Sequence, residues 1–230
     1  MYVRRRITVL FVLLSLAIIL FAGCKKENDG QPIQFEKQEG QRLARINIRD
    51  YGSVTFRLFS DSQPDVVDEF TTRCGKGFYD GTPFFDIIDD YLVMGGSESQ
   101  ENSKKTKALE NEEYYPFRGA LCANLFNDGT CSLDSFFVIT IEKEQLENIK
   151  ELVEHKGFTF SDYIRFGYKT ELAKEELDYF FEYGGAPWLY GHTVVFGQAI
   201  SGLEILDTII QAHMGDAEAQ FIIDSIEYTT

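Results

Sequence analysis

Positive charge is scarce in this sequence. Over 230 residues, 22 Lys and Arg stand against 37 Asp and Glu, a formal charge of -15. Phosphate recognition needs clustered cations, so a nucleic-acid partner is not expected. The three histidines, His155, His192 and His213, lack ligand spacing, and no CxxC pair occurs, so no metal centre is expected. Neither GxxxxGK[ST] nor GxGxxG is present, which removes the usual phosphate-cradling loops, and no nucleophile elbow appears. No cofactor is expected.

Long apolar runs are also absent after the first 22 residues. Arg4, Arg5 and Arg6 precede an apolar run at 7–22, which ends in "LFAGC". A basic n-region, an apolar h-region and small residues before a cleavage point describe a secretory signal, here 1–23. The final Ala-Gly-Cys resembles a bacterial lipobox, with Cys24 as the lipidation site; the alternative is an uncleaved helix, although the run is short for a span of ~20 residues. Acyl chains anchor stably because each buried methylene adds about 0.8 kcal/mol. The expected address is the bacterial cell envelope. The absence of Asp directly after Cys24 fits the outer membrane, facing either the periplasm or the exterior. Residues 24–41 read as a lipidated polar tether without core residues. Beyond Cys24, Cys74, Cys122 and Cys131 permit one disulfide, with Cys122 and Cys131 the nearer pair, or three buried thiols.

What the sequence has in quantity is period-two patterning. Ala44, Ile46 and Ile48, then Val54, Phe56 and Leu58, alternate around the turn chemistry of Asp50-Tyr51-Gly52-Ser53, which predicts a hairpin. Pro64 opens a helix with Val66, Val67, Phe70 and Cys74 on one face, stopped by Gly75 and Gly77. "PFFDIIDDYLVMGG" has the build of a buried strand, yet Asp86, Asp89 and Asp90 interrupt it; they are either solvated loop acids or a cation loop with irregular spacing. A polar stretch, 98–113, precedes "GALCANLF" and "SFFVITI", two β segments around Asn127-Asp128-Gly129. The period then turns helical over 141–154 and 171–183, with Gly184-Gly185 as a cap. "HTVVFGQAI" is a strand, 202–210 a short helix and "QFIIDSIEY" a last strand. This predicts mostly antiparallel β with two flanking helices and a helical insertion at about 142–183, closed as a barrel. The aromatics Tyr91, Phe136, Phe137, Trp188 and Phe196 are core members or, for a minority, walls of a groove.

The order of these segments resembles the cyclophilin family of peptidyl-prolyl isomerases. "LFSDSQPDVVDEFTTRCGKGFYDGTPFF", "DDYLVMGG", "GALCANLFNDGTCSLDSFFVI" and "WLYGHTVVFGQAISGLEILDTI" are similar to that family's successive motifs, over about 43–139 and 184–228. The resemblance implies a closed eight-stranded antiparallel barrel capped by two helices within 42–230. It implies proline-containing polypeptides as partners, with a membrane reached through the lipid anchor. By the same resemblance Phe137 floors the proline pocket, Leu189 and Trp188 are its walls, and Tyr91 and Leu92 stand for a Phe-Met pair. Asn124, with Leu125, falls at a backbone-contacting pair, and Thr193 stands where many members have His or Tyr. The catalytic positions depart from the pattern: Phe85-Asp86 replaces His-Arg, Met94 replaces one Gln and Ser135 another. An ionised Asp86 cannot donate to the prolyl nitrogen and carries the wrong sign, so weak or absent turnover is expected. Arg73, Lys76 or Lys169 are either substitute cations or surface charges. The alternatives are a silent proline-peptide-binding module and a scaffold that docks through its insertion.

Overall fold

The computed structural model describes residues 32–36, 40–98, 103–110 and 113–229. The expected signal segment and Cys24 lie outside the described residues. Strands β1 (Leu43–Ile48) and β2 (Gly52–Leu58) form the hairpin that the alternation predicts, with Ala44 opposite Phe56 and Ile46 opposite Val54. The remaining strands are β3 (Phe84–Ile88), β4 (Leu92–Gly96), β5 (Lys105–Lys107), β6 (Ala120–Asn124), β7 (Thr130–Ser132), β8 (Ser135–Ile139), β9 (Thr193–Ser201) and β10 (Ile223–Tyr228). Eight of them form one antiparallel sheet in the order β10-β1-β2-β9-β6-β8-β4-β3, and β5 pairs with β7. A curled, open sheet stands in place of the expected closed barrel. Its edge strands are joined at one corner, by an isolated bridge between Pro83 and Ile222 and by the Phe84 amide on the Phe221 carbonyl at 2.7 Å.

Alternation along the central strands sends side chains to two different apolar clusters. On β8, Phe136 and Val138 enter the inner cluster, whereas Phe137 and Ile139 enter the outer one. Leu121 against Cys122 on β6, Val194 against Val195 on β9, and Val93 against Leu92 on β4 divide in the same way. Successive strand residues point to opposite faces, so these four strands are covered on both sides. That is why they read as continuous apolar runs rather than alternating ones. Helices α1 (Pro64–Gly75), through Val67 and Phe70, and α5 (Leu203–Gly215), through Leu206 and Ile209, complete the inner cluster. Phe70 meets the edge of Phe136 at a centroid distance of 5.9 Å.

The outer cluster is completed by the insertion, which folds as α2 (Lys143–His155), α3 (Phe160–Tyr168) and α4 (Lys174–Tyr183). Leu146, Phe160, Ile164 and Phe180 are each 3% exposed or less, and burying side chains of this size contributes about 1.5–3 kcal/mol apiece. The insertion leaves and returns at one neck, where the Gly185 amide donates to the Ile141 carbonyl at 3.0 Å. Only glycine fits there: a Cβ on Gly184 would lie 2.5 Å from the Ile141 oxygen, and one on Gly185 2.4 Å from the Pro116 oxygen.

Three expectations change. The middle helix α3 was not read from the sequence; it is short and aromatic, and its start depends on the Thr159 hydroxyl accepting from the Asp162 amide at 3.1 Å. The polar stretch holds a short charged strand, β5. The tether is not free of core residues, because 32–36 lie against the domain as a strap. Gln34 is fully buried; its amide nitrogen donates to the Tyr115 carbonyl (3.0 Å) and to Gln198 (2.6 Å), and its oxygen accepts from the Tyr115 amide (2.8 Å). Arg57 donates to the Gln34 and Glu36 carbonyls, and Phe35 stacks on Tyr183 at 4.5 Å. A disulfide is also absent among the described cysteines. Cys74, Cys122 and Cys131 are free and buried, with Cys122 in the outer cluster and Cys131 in the inner one, so the sheet separates that pair.

Gln34→Ala leaves the Tyr115 amide without its partner, while the Tyr115 carbonyl keeps the Phe117 amide at 2.7 Å; one unpaired buried group costs about 1–3 kcal/mol, and the expected result is a lower denaturation midpoint of the full chain in urea. Burial raises the Cys74 and Cys131 thiols to about 12 and moves Cys122 in the same direction. Thiolates are therefore rare at neutral pH. Iodoacetamide at pH 8 is expected to leave all three unlabelled by mass spectrometry until the chain is denatured.

Candidate functional site

A row of directly opposed residues crosses the outer face of the sheet. Asp86 on β3 faces Met94 on β4, Met94 faces Phe137 on β8, Phe137 faces Cys122 on β6, and Cys122 faces Val195 on β9. An irregularity in β3 between Phe84 and Asp86 adds Phe85 to the strand, so Asp86 and not Phe85 lies opposite Met94. Bulges of this kind re-aim a side chain. Phe137 is 3% exposed and Leu92 6%, while Met94, Tyr91, Trp188 and Leu189 are partly buried in the same cluster. The structure thus brings together six of the residues singled out in the sequence.

Aromatic contacts tie this cluster to the insertion. Trp188 and Leu189 sit in a 3-10 turn, Pro187–Leu189. The Trp188 indole N–H donates to the Tyr91 hydroxyl at 3.4 Å, with ring centroids 6.1 Å apart. Trp188 also stacks with Tyr168 of α3 at 5.8 Å, and the Tyr168 hydroxyl meets that of Tyr163 at 3.1 Å. The Thr170 hydroxyl lies 3.2 Å from the Trp188 carbonyl and 3.4 Å from that of Tyr190. Burial pushes the Tyr91 phenol above its ordinary range, partly opposed by the Trp188 hydrogen bond. The Tyr163 phenol is raised to about 12 by its bond to Tyr168, then by burial. Both are neutral donors at physiological pH. Tyr163, Tyr168 and Thr170 were missed in the sequence, which carries no signal for them beyond an aromatic-rich helix.

The other expected positions lie apart from the cluster. Asn124 is exposed at the end of β6 opposite Thr193, whose hydroxyl donates to the Ala123 carbonyl at 2.8 Å. Ser135 is buried opposite Gly96, two residues along β8 from Phe137. Thr193 and Leu125 line a cavity of about 520 Å³ with Glu110, Tyr114 and Val195. Asp86 is exposed and lines a smaller cavity of about 350 Å³ with Phe85, Ile87, His213 and Glu218.

Among the described residues, nothing forms an ion pair or hydrogen bond with the Asp86 carboxylate. Arg73 is spoken for: it is buried, donates to Glu69 at 2.9 Å and to Asp134, and lies 4.5 Å over the Phe78 ring. Burial alone would lower its pKa, but the Glu69 bond and the Asp134 charge outweigh it and raise it. Lys76 follows α1 as its C-cap, and Lys169 ends α3 in a left-handed conformation, φ 59°.

The curled sheet, its two flanking helices and the aromatic cluster beside β4 define a cyclophilin-like fold. The family described as "Cyclophilin type peptidyl-prolyl cis-trans isomerase/CLD" matches residues 43–228, and the chain belongs to that family. A Staphylococcus epidermidis protein named "Putative peptidyl-prolyl cis-trans isomerase" is 31% identical over 186 residues, covering 76% of this chain and 86% of the relative. A Staphylococcus aureus protein of the same name is 28% identical over 202 residues, covering 84% and 94%. The crystal structure of a Cryptosporidium parvum cyclophilin type peptidyl-prolyl cis-trans isomerase superposes with a TM-score of 0.51 at 19% identity, covering 83% of this chain and 98% of that one. The same protein in the presence of the dipeptide Ala-Pro gives a TM-score of 0.51 at 20% identity.

Trp188 is the chain's single tryptophan, so its fluorescence reports on this cluster alone. Tyr168→Ala uncovers one side of the indole, and the expected result is a red-shifted emission maximum and faster quenching by acrylamide.

Proposed function

We propose that the chain binds proline-containing polypeptides on the outer face of its sheet and isomerises Xaa-Pro bonds weakly. What supports the binding half is family membership together with the apolar cluster of Tyr91, Leu92, Met94, Phe137, Trp188 and Leu189. What supports weak turnover is one observation: the carboxylate of Asp86 ends the row through Met94 and Phe137 and has no cationic partner among the described residues.

Rotation about an Xaa-Pro bond breaks amide resonance against a barrier of about 18–20 kcal/mol. It needs no covalent chemistry. A donor placed at the prolyl nitrogen stabilises its pyramidal lone pair in the transition state, and one well-placed donor contributes on the order of 3 kcal/mol, roughly a hundredfold in rate. Asp86 offers an acceptor where that donor is wanted, and its negative charge opposes the growing lone pair. Met94 offers no strong hydrogen bond to the rotating segment, and Ser135 is short and buried. The Tyr91 hydroxyl and the Trp188 indole N–H are neutral donors in the same cluster, bonded to one another at 3.4 Å. They leave room for slow turnover. Through Cys24 this activity is proposed to act at the bacterial envelope, on polypeptides folding there.

A second reading has its own support. Phe137 keeps only 3% exposure, so a proline ring reaches it only when a neighbouring side chain moves. A chain whose pocket stays shut is a scaffold, docking through its insertion rather than turning over substrate.

Proline isomerisation in a model peptide separates these readings. The full chain is expected to run at least about a hundredfold below family members that hold the guanidinium, and Asp86→Arg to raise its turnover. Turnover of the unaltered chain equal to theirs would overturn the reading of Asp86. Absence of any proline-peptide binding, in both proteins, would favour the scaffold.

A further inference from the structure

The row that carries Phe137 runs on through Cys122 to Val195, and Val195 forms part of the wall of the 520 Å³ cavity. That volume is within the range of functional ligand pockets. Its walls are unlike those of the aromatic cluster. Leu109, Leu125 and Val195 are apolar, Phe126 and Tyr190 contribute rings, and Glu110 brings a carboxylate. Among the described residues no Lys or Arg lines it, and Glu110 is exposed with no ion pair or hydrogen bond of its own. Lys105, which approaches the wall through the Phe126 ring at 5.4 Å, is already held by Asp128 at 2.6 Å.

We propose that this cavity takes a long cationic side chain, Lys or Arg, from the polypeptide whose proline is held on the same face; the inference rests on the polypeptide-binding reading above. An apolar channel with one carboxylate suits a side chain that buries its methylene stem and keeps its charged head at a polar partner. The rings add cation–π attraction to the carboxylate's charge. The formal charge of -15 favours cationic ligands over acidic ones at longer range. Geometry sets a minimum spacing. From β8 across β6 to β9 is two inter-strand steps, about 10 Å at ~4.8 Å each, but Cys122 between them is fully buried, so the polypeptide passes around this covered face. An extended chain advances about 3.3 Å per residue, so the cationic residue lies three or more positions from the proline. Specificity then resides in a residue pair, with the proline at the aromatic cluster and the base at Glu110.

Fluorescence anisotropy of labelled peptides tests this on the full chain. Each peptide carries one proline, with Lys, Ala or Glu three, four or five positions away on either side. The Lys peptide of one direction is expected to bind about 3–10-fold more tightly than its Ala counterpart, and the Glu peptide more weakly. Glu110→Gln should remove the Lys advantage and leave the Ala peptide unchanged, whereas Asp178→Asn, an exposed acid on α4, should leave the advantage intact. Leu109→Trp, at a position already 43% exposed, should fill the cavity and lower the affinity of the Lys peptide alone. Equal binding of Lys and Ala peptides, or a Lys advantage that survives Glu110→Gln, overturns the assignment while the polypeptide reading stands. Absence of binding by every peptide removes the polypeptide reading and the cavity's role together.

Discussion

The two-sided burial of β4, β6, β8 and β9 is the constraint on which the rest depends. A sheet that curls around an inner core normally leaves its outer face to water, with polar side chains alternating outward. Here Leu92, Phe137, Ile139, Cys122 and Val195 point out and are apolar. Left uncovered they would form an exposed patch large enough to drive association. The chain covers them with its own insertion, with the aromatic segment around Tyr115 and Phe117, and with the strap at 32–36. Gln34 joins these layers, because its buried amide bonds both the Tyr115 backbone and Gln198 of β9.

The same covering shapes the candidate site. The aromatic cluster is not a free-standing pocket but the edge of the outer core, supported by Tyr168 at the end of α3 and by Thr170 just after it. The contacts that hold Trp188 therefore come from residues more than fifteen positions away in sequence. The absence of positive charge is part of the same picture. Of the three cations weighed for the role, Arg73 is consumed by Glu69 and Asp134, and among the described residues neither Lys76 nor Lys169 forms an ion pair with Asp86. On the proposed reading the site binds by apolar contact and neutral hydrogen bonds and has little with which to stabilise a developing lone pair.

Much of the fold was legible because its signals are local. The hairpin follows from alternation around Asp50 and Gly52, α1 from Pro64 and its apolar face, and the return of the insertion from Gly184-Gly185. The ordered motifs identified the family. The strap was not legible: Gln34 sits in a polar run, and nothing local marks one glutamine as buried. Helix α3 was missed because it is only nine residues long and holds Phe, Tyr and Gly, which are poor helix formers, so its apolar face at Phe160 and Ile164 spans too few turns to stand out. The closed barrel was expected from strand count, yet closure depends on how far the sheet curls, and among the described residues the edges meet at one corner, 81–84 against 221–223.

By itself the sequence determined which residues alternate, where turns and caps fall, and that the family is the cyclophilin one. Those are properties of neighbours along the chain, or of an ordered series of them. Only the tertiary structure decided that Phe137 is nearly sealed, that Cys122 and Cys131 lie on opposite faces, and that Glu110 shares a cavity with Val195. Each is a relation between segments far apart in sequence. It depends on strand register and on the insertion folding back across the outer face, and no spacing rule along the chain encodes that.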